Sequence, residues 1–281
     1  MIRSPRRGFA VIAIVSAGFA GDARADQLPL WELGIGIGGI AAPDYRGSDE
    51  TRNYLLPLPY IVYRGEILNV DRSGIYGRLF EGERVNLDIS FDAGVPVDSE
   101  KNAARAGMPD LDPTFEVGPS LEICLWNDCK ADRVLQLRLP ARATFSTDFS
   151  RVDSRGWVFN PNINVDINNI GPGGGWNFGV AIGLVYADEK NHDYYYQVDP
   201  AFATAARPAY DARGGYSGTR VVVALSKRYD GLWLGLFARY DDLSGAEFRD
   251  SPLVRVERWF MAGFGVAWMF ARSDTLVERD R

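Results

Sequence analysis

Apolar and polar residues alternate along most of this chain. In residues 157–167, Trp157, Phe159, Pro161, Ile163, Val165 and Ile167 interleave with Val158, Asn160, Asn162, Asn164 and Asp166. Successive side chains of a strand point to opposite faces, so this pattern predicts a β-strand. In residues 31–40, Trp31, Leu33, Ile35 and Ile37 oppose Glu32, Gly34, Gly36 and Gly38. The alternation recurs at 84–92, 115–126, 135–145, 176–186, 232–240 and 260–270, and more weakly at 218–228. No helical period of useful length follows the first 25 residues.

Two architectures produce such alternation. A soluble sandwich buries the apolar set in a core and wets the polar set. A membrane barrel turns the apolar set to lipid and the polar set to its lumen. The connections favour the barrel. Short turns fall at 64–65, 81–83, 127–131, 170–174 and 230–231, and long loops at 42–53, 97–113 and 187–216, with shorter ones near 148–154 and 243–253. Transmembrane barrels place short turns at the periplasmic end and long loops outside. Parity then requires a further outer turn at "DRSG", 71–74, between short strands at 66–71 and 75–80. The expected fold is an all-β, antiparallel up-and-down transmembrane barrel of about twelve strands. Pro57, Pro59, Pro119, Pro140 and Pro161 fall inside predicted strands, where each removes a ladder donor, and predict bulges or distortions.

The first 25 residues carry a different signal. Arg3, Arg6 and Arg7 precede the apolar run "FAVIAIVSAGFA", and "ARA" ends at residue 25. That order predicts a signal peptide over 1–25, a barrel over 26–270 and a charged tail over 271–281. No later apolar run reaches the length of a membrane-spanning helix. The formal net charge is −6; without the four arginines and one aspartate of residues 1–25, 27 basic and 36 acidic residues remain, a net of −9. No basic field exists to attract nucleic acid. Cys124 and Cys129 in "CLWNDC" predict a small loop-closing disulfide in an oxidising compartment, with two inert thiols as the alternative.

Alternation assigns eight charges to the lumen: Asp88, Asp92, Glu116, Glu122, Arg138, Arg142, Asp166 and Arg239. Opposite signs on neighbouring strands suggest cross-strand ion pairs. They read as filling a small interior, or as the charge rings of a selective pore. The sole histidine, His192, has Asp188, Glu189 and Asp193 as sequence neighbours. Neighbours in sequence are not a catalytic geometry, and no nucleophile-elbow, P-loop or zinc-protease motif is present, so no enzyme activity, metal or cofactor is expected. Tyr194, Tyr195 and Tyr196 read as an interfacial girdle, with sugar contact as the alternative.

Three stretches carry a resemblance: "APDYRGSDETRNYLLPLPYIVYRG" at 42–65, "YYYQVDPAFATAARPAYDARGGY" at 194–216 and "DSPLV" at 250–254. They resemble the MltA-interacting protein family, MipA/OmpV, over nearly the whole chain after residue 25. The resemblance implies a Gram-negative outer-membrane barrel. It also implies a scaffold at the periplasmic face, joining a lytic transglycosylase to a penicillin-binding protein. A small-solute channel and a surface adhesin are the alternatives. Barrels of that family typically stop at a terminal aromatic. Phe270 takes that place here, but "ARSDTLVERDR" follows it.

Overall fold

The computed structural model describes residues 27–64, 68–71, 74–171 and 174–278. The expected signal peptide therefore lies outside the described residues, as do parts of three predicted turns and Arg279–Arg281. The elements are β1 (Gln27–Pro29), β2 (Trp31–Pro43), β3 (Thr51–Arg64), β4 (Leu68–Asp71), β5 (Gly74–Glu81), β6 (Val85–Gly94), β7 (Thr114–Trp126), β8 (Arg133–Thr147), β9 (Val152–Phe159), β10 (Asn162–Ile170), β11 (Trp176–Ala187), α1 (Glu189–Tyr196), β12 (Gly215–Arg228), β13 (Leu232–Asp242), β14 (Arg258–Arg272) and β15 (Leu276–Glu278).

From β2 to β14 the chain is an antiparallel meander, each strand pairing with the next except β9 and β10. The ladder then returns on itself: β14 pairs with β2 from Ala262↔Ala41 to Arg272↔Glu32. The stretch that reads as one strand from Trp157 to Ile167 is interrupted at Asn160–Pro161. Its halves still form one stave, because β8 pairs with β9 through Ala141–Thr147 and with β10 through Arg133–Arg138. Counting β9 and β10 together, twelve staves make the ring. The break has a local cause. Pro161 has no N–H, and the Asn160 side chain donates instead to Leu184 O at 2.6 Å.

The other prolines behave differently from expectation. The β2–β3 register runs from Trp31↔Tyr63 to Pro43↔Thr51 without a shift, straight through Pro57 and Pro59. The β7–β8 register is likewise the same on either side of Pro119 and Pro140; its shift comes later, between Cys124 and Trp126. No bulge forms at these four prolines.

The outward faces are apolar and exposed, as a lipid-facing wall requires: Ile35, Trp157, Ile182, Phe264 and Trp268 are all exposed. The closing seam depends on glycine. A Cβ on Gly36 would lie 2.1 Å from Val266 O, and one on Gly34 2.4 Å from Trp268 O, so only glycine lets β14 approach β2 this closely. At the short-turn end the chain's two ends meet. β1 pairs with β15, Gln27↔Glu278 to Pro29↔Leu276. β14 runs two residues past Phe270, and the following tail is held by the strand that precedes β2 rather than hanging free.

Candidate functional site

The inner wall carries a chain of ion pairs that crosses the barrel. Asp241 on β13 is fully buried and receives three guanidinium groups: Arg46 Nε at 3.2 Å, Arg220 Nε at 3.2 Å and Arg239, whose Nη2 donates at 3.1 Å. Arg220 on β12 extends across the interior to Asp92 on β6, Nη1 to Oδ2 3.7 Å. Asp92 also meets Arg142 Nη2 at 3.7 Å, and Arg142 Nε lies 2.8 Å from Glu116 Oε2. Five steps round the ring separate β6 from β12, so Arg220–Asp92 is a contact between nearly opposite walls. Four arginines and three carboxylates thus form one transverse bridge.

A second cluster lies on the β7–β8–β10 wall. Arg138 is 3.2 Å from Glu122 Oε1 and 2.9 Å from Asp166 Oδ2, and Asn164 Nδ2 donates to Asp166 at 2.6 Å. With one arginine against two carboxylates, it offsets the surplus charge of the bridge. Together the two clusters hold five of each sign. A neutral, mutually paired interior is the arrangement in which charges survive removal from bulk water.

Above the bridge, the long loops form a cap with its own apolar core. Tyr45, Val97, Leu111, Tyr196, Leu243, Phe248 and Leu253 are buried together, drawn from the three long loops and from the connection at 243–253. Tyr196 stacks on Phe248 with ring centroids 3.6 Å apart. Backbone carbonyls are claimed by side chains of other loops. Tyr45 Oη donates to Leu253 O at 2.8 Å, Ser251 Oγ to Tyr196 O at 2.7 Å, and Arg207 Nη1 to Ala104 O at 3.0 Å. Arg46 joins the two layers, since its Nη2 donates to Ser217 O at 2.6 Å while its Nε meets Asp241. Burial raises the Tyr45 and Tyr196 phenols well above their ordinary range.

Helix α1 was not legible in the sequence. Eight residues are too few to show a period, although Asp188 supplies a standard N-cap by accepting from Asn191 N at 3.0 Å. The helix corrects one expectation. Tyr194–Tyr196 do not form a lipid-interface girdle: α1 turns Tyr196 into the cap core, and Tyr194 Oη donates to Asp112 O at 3.1 Å. His192 sits on no open surface. Its ring nitrogens meet Arg213 O and Ser217 Oγ, its ring packs edge-on against Phe248, and both His192 and Ser217 are 1 % exposed. A Ser–His contact exists, but no substrate reaches it. It ties α1 to the start of β12. Burial lowers the His192 pKa from its usual 6.5.

All the charges assigned from alternation lie on strands of the inner wall. The structure brings Asp92, Glu116, Arg142 and Arg239 into the bridge, and Glu122, Arg138 and Asp166 into the second cluster. Asp88 is half-buried on β6, outside both. Three bridge residues escape the sequence reading. Arg220 is in the weakest alternating segment, Asp241 lies one residue beyond the predicted end of its strand, and Arg46 is in a loop. Cys124 and Cys129 are joined across the β7–β8 turn with Cα atoms 5.4 Å apart. Among the described residues, no group of three or more His, Cys, Asp or Glu is placed to hold a metal ion.

Comparison with known proteins gives matches to one family model and to outer-membrane proteins. The family model described as "MltA-interacting protein MipA" matches residues 35–270. Outer membrane protein Omp26La of Vibrio anguillarum is 25 % identical over 243 residues, 83 % of this chain and 85 % of that one. Outer membrane protein OmpV of Vibrio cholerae is 25 % identical over 247 residues, with the same coverage. Among solved structures, the COG4313 outer membrane channel from Pseudomonas putida F1 aligns over 89 % of this chain and 99 % of its own, with 13 % identity and a TM-score of 0.40.

Proposed function

For a chain that belongs to the MltA-interacting protein MipA family of outer-membrane proteins, we propose a scaffold role at the periplasmic face. In this reading the barrel anchors cell-wall enzymes, a murein-cleaving transglycosylase and a murein-synthesising penicillin-binding protein, beneath the outer membrane. The observation that carries it is the occupied lumen. A freely permeable pore needs a continuous aqueous path, and here an ion-pair bridge between opposite walls lies beneath an interlocked loop cap. What remains for partners is the short-turn end, where the turns and the paired β1–β15 ends form the periplasmic surface. A stable interface covers about 800 Å² on each partner. Single turns are too small for that, so several turns together with the β1–β15 pair are the unit to test.

Cross-linking of intact envelopes, purification of the barrel and identification of captured proteins test the proposal. Murein-processing enzymes are expected among the captured proteins. Their loss is expected when β15 is removed by truncation after Arg272, provided the barrel still shows heat-modifiable mobility. Capture of no murein enzyme by the intact protein would overturn the scaffold. Steady conductance of the unaltered protein in planar bilayers would favour the channel alternative.

A further inference from the structure

The wall of the barrel is not paired all the way round. β3 pairs with β4 only at Tyr63 and Arg64, and β5 pairs with β6 only as far as Asp88. Beyond that, the β4–β5 tip pairs with itself, Leu68↔Gly77 to Asp71↔Gly74. Among the described residues, no strand pairs with the second edge of β3 from Thr51 to Val62, or with the edge of β6 from Ile89 to Gly94. The β3 edge lies at membrane level. Pro57 and Pro59 face Ile37 and Ile35 of β2 in register, and Ile35 and Ile37 are exposed on the apolar wall.

Two features of β3 suit an unpaired edge in lipid. Pro57 and Pro59, two residues apart, present the same edge and have no N–H to leave unsatisfied, and an unsatisfied backbone donor in hydrocarbon costs several kcal/mol. Leu55 and the adjacent Leu56 are 66 % and 49 % exposed, so both faces of the strand are open at this point. A cavity of about 410 Å³ lies at the top of the gap. Arg52 and Tyr54 of β3 line one side, and Val97, Lys101 and Leu111 of the β6–β7 loop line the other.

Behind the gap the inner wall carries an apolar strip, with the buried Glu32–Arg228 ion pair (2.6 Å) at its short-turn end. Leu58 and Trp233 meet over Gly265, where an added Cβ would lie 3.1 Å from Leu58 and 2.9 Å from Trp233. Tyr60, Val62 and Ala267 are buried together, with Trp233 and Met269 packed against them. This strip, on β3, β13 and β14, lies toward the short-turn end from the bridge residues Arg239 and Asp241 of the same β13, and apart from the cluster on β7, β8 and β10. A lumen that served only water and ions has no use for it.

We propose that the gap between β3 and β6 is a lateral portal, through which an uncharged alkyl solute of the bilayer reaches the apolar strip of the lumen. Leu55 marks its lipid side and Leu56 its lumen side. The solute need not pass the bridge or the cap. The portal is independent of the scaffold role, and either stands if the other fails.

The test is photolabelling of the full chain, folded in phosphatidylcholine vesicles, with dodecyl diazirine as the probe, and mapping of adducts by mass spectrometry. Adducts are expected on the inner residues Leu56, Leu58 and Tyr60 as well as on lipid-facing Ile35 and Phe264. Leu56→Trp, which fills the opening, should lose the adducts on Leu58 and Tyr60 and keep those on Ile35 and Phe264. Adducts confined to the outward residues of the unaltered protein would overturn the portal, as would labelling of Leu58 and Tyr60 that is unchanged in a folded Leu56→Trp barrel. The map of the unaltered protein decides the matter even where the variant does not fold.

Discussion

Asp241 holds three guanidinium groups with one carboxylate, and its removal takes from Arg46 and Arg239 the carboxylate they share and leaves Arg220 with Asp92 at 3.7 Å. Breaking a buried pair in this way costs about 3–5 kcal/mol. Asp241→Asn is therefore expected to lower the stability of the folded barrel by that order, measured by urea unfolding in vesicles. Glu116→Gln at the far end of the bridge, where one arginine loses one of two acids, should cost less. His192 acts in the other layer. Its pKa lies below 6.5 because burial disfavours the cation. The unfolded chain takes up a proton near 6.5 and the folded cap resists it. The contribution of His192 to stability is thus present above pH 6.5 and is lost as pH falls toward the lower folded value. Loop protection against protease should decline between neutral pH and pH 5, and His192→Gln should flatten that decline. An equal slope in the variant would place the sensitive group elsewhere.

The closing seam makes a paired prediction at the scale of the element. Gly36 and Gly38 both lie on β2 against β14, but an added Cβ meets backbone at 2.1 Å in the first case and 3.5 Å in the second. Gly36→Ala is expected to abolish the heat-modifiable folded form, and Gly38→Ala to keep it. At the β7–β8 hairpin the Cys124–Cys129 link closes a short loop and contributes about 2 kcal/mol by restricting the unfolded chain. Intact mass of the denatured protein after alkylation should show no modified thiol until it is reduced. These elements were legible to different degrees. Alternation with apolar residues at every second position located the staves, because lipid on one side and a lumen on the other impose period two. The break at Asn160–Pro161 was not legible, since the apolar pattern continues through it while the donor is missing. Nor was the absence of bulges at Pro57 and Pro59, because only the neighbouring strand shows which edge is left unpaired.

At the scale of the molecule, the loop-length parity predicts the short turns in the periplasm and the cap outside. A cysteine replacing Ala205, exposed on the cap, should react with a membrane-impermeant thiol reagent on whole cells. One replacing Gly231, in the β12–β13 turn, should react only after the outer membrane is opened. Labelling at Gly231 on intact cells would invert the topology. Native Cys124 and Cys129 do not interfere while they remain bonded to each other.

The sequence by itself determined the class of fold, the strand parity and the set of side chains that face inward, because all three follow from local periodicity and loop length. It determined the family through residues 42–65, 194–216 and 250–254. Only the tertiary structure decided what the inward set does. Arg220 and Asp92 are 128 positions apart in the chain and touch because closure of the ring sets β12 opposite β6. Arg46 joins the bridge because loop packing brings it there. The same holds for the cap core, for the burial of His192 and for the unpaired edge of β3. Each depends on which segments become neighbours, and that is settled by ring closure and packing over the whole chain rather than by any stretch of residues read alone.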